Sequence, residues 1–488
     1  NKAVVYWNRD LCEVRIHSLI DGGQDFVCQF DFASLCSFYD ALPNDDERIL
    51  KYHDLVRLSD LSPIEREQFL QHVRRRTNVP LTVLRKGLVN RGAVLTHHEM
   101  GEEYLESIER PMYTDGVFWR ASNDSPIWTS YADEKCIADI GGKFKEQNYC
   151  KKTPEYRGIL VSAQSQAFVE AYFGKAPVGV ACGPRFYSLQ GDELIDEPLT
   201  KDHRQRFTLE CEIDDRPPER FLAFAYECFE GTDAAQLDRL QELFGVTITG
   251  IGHQFQKAFF LFGPGASGKS TMLSILCSFV PEDFIAATPP NLWGRAYESA
   301  SIAGMRLIAV GEGESVMLGE AFKSYTGGDR QSARQPAGRV FTHRPSATVV
   351  INANGFPHLS ESSIAMIRRL EALLFPNSRA MSGKPLTRNL AEQIIAAEQG
   401  RILHWALGGA RRVLKQNGYT PSVQHDEYID TWKRRANPVV AFVEEYLEPS
   451  DGAKLKRSDV YPYFQMWAIR EDLDEIPPKG EVFEKLEE

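Results

Sequence analysis

The sequence predicts an α/β protein centred on a parallel sheet that carries a phosphate-binding turn. Three observations predict it. The first is the stretch 258–262, five apolar residues with no polar face and too few for a helix, as a buried parallel strand should be. The second is the run immediately after it, Gly263-Pro264-Gly265-Ala266-Ser267-Gly268-Lys269-Ser270-Thr271, and then an amphipathic stretch through Met272, Leu273, Ile275 and Leu276. This is strand, loop and helix, with the Gly-x-x-x-x-Gly-Lys-Ser pattern in the context that gives it meaning. The third is a pair of further short, mainly apolar runs, 306–310 and 347–351, each leading into a segment with polar residues.

The turn dictates a chemistry. Glycines let backbone N–H groups converge on phosphate oxygens, and the helix N-terminus adds partial positive charge. Lys269 is placed to reach the β/γ-phosphates and the Ser270 hydroxyl to ligate Mg²⁺. The blander alternative, a glycine turn with a solvent-facing lysine, fits the flanking strand and helix poorly. A nucleoside triphosphate, ATP with Mg²⁺, is the expected ligand.

Before the turn, residues 1–45 alternate in polarity and suggest a small β-meander closed by a helix near 32–42. A helix over 62–76 has Ser62 as N-cap and Pro63 at its first position, and a shorter one follows Pro80. Such a pair could read DNA as a helix-turn-helix but is more often ordinary packing. His97 and His98 are adjacent and so point apart on a helix, which argues against a metal site. Between 111 and 245 the chain reads as a mainly helical platform with core aromatics Trp119, Trp128, Phe168 and Tyr172. A strand ends at 211–213, a helix spans 219–229, and another over 234–244 stops at Gly245.

After the turn, Glu312 and Glu314 follow the 306–310 strand, and residues i and i+2 of a strand share a face, so both can aim at the nucleotide. An acid there holds Mg²⁺ or polarises the attacking water. Asn354 follows the next strand and could orient the water, although Asn-Gly is also a plain turn signal. Between the two strands, residues 323–344 carry Lys323, Arg330, Arg334, Arg339 and Arg344 against one acid, Asp329, with turn residues in the middle. A basic hairpin on a nucleotide-binding sheet suits a phosphate backbone, though a solvated loop is also sometimes basic. The doublet Arg368-Arg369 precedes a sheet edge expected at 373–375 — the place from which an arginine could reach a neighbouring subunit's γ-phosphate. Helices over 390–399, 402–415 and 423–435 follow, and then a small helical module with Tyr461, Phe464 and Trp467 at core spacing.

Composition bounds the function. The 488 residues suggest about three domains. Apolar residues make up 43%, yet no run approaches the ~20 residues of a membrane span. The nine cysteines are scattered without zinc spacing and read as reduced core thiols of a cytoplasmic protein. A net charge of −12 excludes a surface that coats nucleic acid generally, so DNA contact requires a local patch. The terminal residues resemble the interior of a longer chain, and further domains are expected outside 1–488.

From about Gly179 onward the chain resembles the helicase part of phage, plasmid and poxvirus primase-helicases, in the superfamily-3 helicases of the AAA+ group. The resemblance rests on Leu240-Gln241-Glu242-Leu243-Phe244-Gly245, the phosphate loop, 303–307 leading to Glu312-Gly313-Glu314, and Phe322-Lys323-Ser324-Tyr325-Thr326-Gly327-Gly328-Asp329. Asn354-Gly355-Phe356-Pro357, 398–409 and a C-terminal region like a winged helix extend it. It implies an AAA+ motor at 246–380 behind the helical platform at 111–245; the α+β region at 1–110 lies outside the resemblance and has no role assigned by it. A helical lid at 381–436 and a winged-helix region at 437–488 follow. It implies an ATPase and replicative DNA helicase of a phage, phage satellite or plasmid in a bacterial cytoplasm. Such enzymes are ring hexamers that translocate 3′→5′ on single-stranded or forked DNA, often with a primase domain upstream or a separate primase. By the same resemblance Asn354 is the nucleotide sensor, Arg369 the arginine finger with Arg368 as alternate, and Lys323, Arg330, Arg334, Arg339, His343 and Arg344 line the DNA channel. Many relatives have two adjacent acids where Gly313 here separates Glu312 from Glu314, which leaves open which of the two is catalytic. Lys454, Lys456 and Arg457 are candidates for origin duplex DNA. Two rivals share the loop: an AAA+ initiator or loader that uses ATP as an assembly switch, and a small-molecule kinase. The block around Gly327-Gly328-Asp329 argues against the kinase.

Overall fold

The structure is a computed structural model that describes all residues apart from 1–2, 9–12, 19–24, 29–31, 60, 90–94, 123, 145–149, 151, 192, 312–316, 336–339, 361–362, 382, 384–386, 449–454, 472, 474–475 and 488. The chain forms two compact units, one of residues 1–103 and 141–159, the other of 104–140 and 160–488.

In the first unit a three-stranded antiparallel sheet, Ala3–Asn8, Glu13–Ser18 and Asp25–Cys28, is followed by the expected helix Phe32–Asp40. Helix Pro63–Thr77 starts as the sequence predicts, because the Ser62 side chain accepts from the Glu65 N–H and Pro63 occupies the first turn. Tyr39, Tyr52, Phe69, Val73 and Leu84 form the core.

The second unit holds the sheet that matters. Its helices and strands, numbered within this part of the chain, are α1 (Glu219–Cys228), α2 (Ala235–Thr249), β1 (Ala258–Phe262), α3 (Lys269–Cys277), β2 (Ile285–Ala286), β3 (Leu307–Val310), α4 (Glu320–Gly327), β4 (Thr348–Ala353), β5 (Leu370–Leu374), α5 (Leu390–Gln416) and α6 (Val423–Ala436). The order across the five-stranded sheet is β2-β3-β4-β1-β5, and every pairing is parallel. All five residues of β1 are buried. Phe259 and Leu261 pack with α2, α3 and α5 on one face; Phe260 and Phe262 pack with Phe322 of α4 and Trp432 of α6 on the other. A strand covered by helices on both faces has no use for polar alternation, which explains its unbroken apolar run.

Several expectations from the sequence are corrected. Helix α2 runs through Gly245 to Thr249, and α5 is one 27-residue helix through Gly400. Both glycines mark close approach rather than helix ends. A Cβ on Gly245 would strike the Ala406 and Ala410 backbone, and one on Gly400 would strike the Glu212 carbonyl. The platform is less helical than predicted, because Gly179–Cys182, Arg185–Gln190 and Glu193–Pro198 form an antiparallel sheet, and 112–131 contributes another. The described residues 211–213 form no strand; Leu209 instead bridges Cys182. Phe168 is exposed rather than core, while Trp119, Trp128 and Tyr172 do cluster. The C-terminal module is three helices, Pro438–Tyr446, Arg457–Arg470 and Lys479–Glu487, around Phe442, Phe464 and Trp467. No strand pair that would make a wing lies among its described residues, and Lys454 lies outside them. No helix among the described residues is long and apolar enough to cross a membrane.

Candidate functional site

The phosphate-loop residues lie where β1 emerges from the sheet. Gly263, Ala266 and Gly268 all take positive φ, at 156°, 59° and 96°. The turn is boxed in from below, since a Cβ on Gly268 would sit 2.6 Å from Cys228 Sγ. Burial pushes that thiol up to about 12, so it packs as an inert apolar group. Gly268 is also the residue before α3, whose exposed Ser270 stands in its first turn. A loop of this shape, leading into a helix N-terminus, is built for anions.

Lys269 is 6% exposed. Its ammonium donates to the Gly263 carbonyl at 2.5 Å, the Pro264 carbonyl at 2.9 Å and Asn354 Oδ1 at 2.9 Å. Asn354 directly follows β4, and β4 lies beside β1 in register, with Phe262 opposite Ala353. The sheet order therefore delivers the predicted amide to the predicted lysine. Strand β3 ends one place further out, pointing the same way. Glu312 and Glu314, which follow it, lie outside the described residues, and so does Arg339.

Sequence reasoning missed the segment that closes the loop from the β5 side. Ser378 Oγ donates to the Gly265 carbonyl at 2.8 Å, and the Arg379 N–H donates to the Ala266 carbonyl at 3.1 Å. The Arg379 guanidinium pairs with Glu227 of α1. A short polar segment after an edge strand carries no pattern that would flag it.

Two of the expected site residues are buried. Arg369 is 6% exposed, and its guanidinium donates to the carbonyls of Lys323 (3.1 Å) and Ala365. Burial, and then the Arg368 charge, lowers its pKa. In this structure Arg369 is engaged with its own backbone, whereas Arg368 is exposed. His343 is 2% exposed and hydrogen-bonds Ser299 Oγ at 3.1 Å through Nε2. Burial lowers its pKa, and the ring packs inside the subunit away from the exposed face of the hairpin.

The basic stretch does form paired strands, Gln331–Arg334 with Val340–His343. Arg330 at its foot pairs with Glu170, Arg344 donates to the Gly328 carbonyl at 3.1 Å, and Lys323 pairs with Glu320 at 2.8 Å. Arg334 is exposed on the hairpin. Among the described residues no cluster of His, Cys, Asp and Glu is arranged to hold a metal ion.

No protein-family model matches the chain, and no curated protein matches it by sequence. Among solved structures it is similar to the A-form apo structure of the NrS-1 C-terminal region at 11% identity and a TM-score of 0.41, over 76% of this chain and 85% of that one. A second apo structure of NrS-1 residues 305–718 gives 12% and 0.37, over 72% and 80%.

Proposed function

We propose that the chain is an ATP-driven DNA helicase of superfamily-3 AAA+ type, working on single-stranded and forked DNA as a ring hexamer. The observation that carries this reading is the bond between Lys269 and Asn354, made across a sheet in which β4 is inserted between the phosphate-loop strand and β3. That insertion brings the Asn354 amide to Lys269 and leaves the end of β3 one strand away, which supports reading Asn354 as the sensor of a γ-phosphate held by Lys269.

Lys269 exchanges the Gly263 and Pro264 carbonyls for β- and γ-phosphate oxygens when ATP binds, because a charged phosphate outcompetes neutral acceptors. Ser270 and an acid from Glu312 and Glu314 would hold Mg²⁺, which supplies charge neutralisation on the phosphates. Asn354 then orients the attacking water. Arg368 of an adjacent subunit supplies the finger, in place of the interior Arg369. Arg334 on the hairpin, with Arg339 from the adjoining sequence, grips the strand's phosphates. The test is steady-state ATP hydrolysis with and without single-stranded DNA. DNA-stimulated hydrolysis that is lost in Lys269→Ala supports the reading, and hydrolysis indifferent to DNA removes the helicase from it.

A further inference from the structure

A cavity of about 330 Å³ lies at the opposite edge of the sheet from the phosphate loop. Its walls include Gly250 and Gln254 before β1, Arg306 before β3 and Ser346 before β4, and because these strands are parallel their N-terminal ends share one edge. Five cations face it, Lys175, Arg204, Arg206, Arg306 and Arg344, against one carboxylate, Asp115.

The cations find little counter-charge inside the protein. Arg206 donates to the Gly304 carbonyl and lies over the rings of Phe173 and Phe284, at 5.1 and 4.9 Å. Arg306 lies 5.3 Å over the Phe207 ring, and its shielded Nε has no hydrogen-bond partner among the described residues. Arg204 donates to the Tyr172 carbonyl, while Arg344, at the rim, donates to the Gly328 carbonyl and lies 3.9 Å from the Glu170 carboxylate. Burial pulls Arg206 down to about 10 and Arg306 down to about 9; it also pushes Asp115 up, against the opposing pull of the Arg206 charge. Arg206 and Arg306, which make no ion pair among the described residues, are desolvated guanidinium groups that are costly unless an anion joins them. Their planar forks match phosphate oxygens.

We infer that this cavity is a second anion site, which takes a phosphate group between Arg206 and Arg306. The phosphate comes either from a free phosphorylated molecule, for which the volume suffices, or from the backbone of a strand on the hairpin. Gly328 and Arg344, at the two roots of that hairpin, both line the cavity. The inference is independent of the nucleotide reading, because no phosphate-loop residue takes part.

Pyrophosphate titration of the Lys269→Ala protein, followed by calorimetry and thermal melting, tests it. Saturable binding with a raised melting temperature is expected. Arg306→Met should weaken it at least about tenfold, the loss of one charge-assisted bond. The same variant should be no less stable than its parent in phosphate-free buffer, since it removes an uncompensated charge. If Arg306→Met does not fold, Arg204→Gln at the cavity wall gives the same readout. An oligothymidylate that competes with pyrophosphate assigns the site to the strand; failure to compete assigns it to a free phosphorylated ligand. No binding of pyrophosphate or oligonucleotide, or equal binding in the arginine variants, overturns the inference.

Discussion

Lys269 Nζ stands 2.9 Å from Asn354 Oδ1, so the helix after β1 and the end of β4 are joined at the mouth of the phosphate loop. The amide positions the lysine in this structure, and the proposed reaction needs it again to orient water. Asn354→Ala should therefore lower ATP turnover about 10²–10³-fold, the usual loss for one preorganised polar group. ATP affinity should stay within a few-fold. Equal loss of affinity and turnover would make Asn354 a structural prop for the loop instead.

The arginine doublet separates by burial. Arg368→Ala should fold normally and lose hydrolysis, and mixing it with wild-type subunits should depress activity per wild-type subunit. Arg369→Ala should instead destabilise the fold by about 1–3 kcal/mol, because it leaves the Lys323 and Ala365 carbonyls without their donor. Denaturant melts of both variants check the split. The reverse pattern would return the finger to Arg369.

Much of this was legible in the chain. The β1 run and the glycine turn follow from rules that act over a few residues; Asn354, by spacing alone no more than an Asn-Gly turn candidate, was singled out by the resemblance, and the order of the sheet brings it to Lys269. The doublet shows where that stops. Arg368 and Arg369 are identical in sequence terms, and only the packing of Arg369 against Lys323 and Ala365 tells them apart. Gly245 and Gly400 misled because a glycine that ends a helix and one that admits a crossing backbone look alike until the partner is known. The sheet at 179–198 was missed because Glu193, Asp196 and Glu197 dilute its alternation.

Removing hairpin charge should act on DNA binding alone. Arg334→Ala with Arg339→Ala should weaken single-stranded DNA binding and flatten its logarithmic salt slope by ~0.7 per lost phosphate contact. Basal ATP hydrolysis without DNA should be unchanged. A salt slope equal to wild type would make the pair a solvated loop.

His425 ties α6 to the sheet and sets a pH dependence. It belongs to a buried cluster with Arg239, Lys257 and Glu371, and Asp426 lies 3.9 Å away. Its Nδ1 accepts from the Ala372 N–H at 3.1 Å, so the neutral ring is the bonded form. Burial, and then the charges of Arg239 and Lys257, pull its pKa down to about 3. The unfolded chain takes up the proton that the folded chain refuses, so stability falls as pH drops below the ordinary imidazole value. Between pH ~7.5 and ~5 the loss attributable to this residue should be about 2 kcal/mol. His425→Gln should be less stable near neutrality but show a shallower acid slope in urea melts. An unchanged slope would place the acid sensitivity elsewhere.

The most direct test of the central claim is displacement of a labelled strand from a forked duplex, with ATP, by wild type and Lys269→Ala side by side. Displacement by wild type that vanishes in Lys269→Ala is the predicted result. ATP hydrolysis without any displacement would contradict it, and would point to an initiator or loader that uses ATP for assembly.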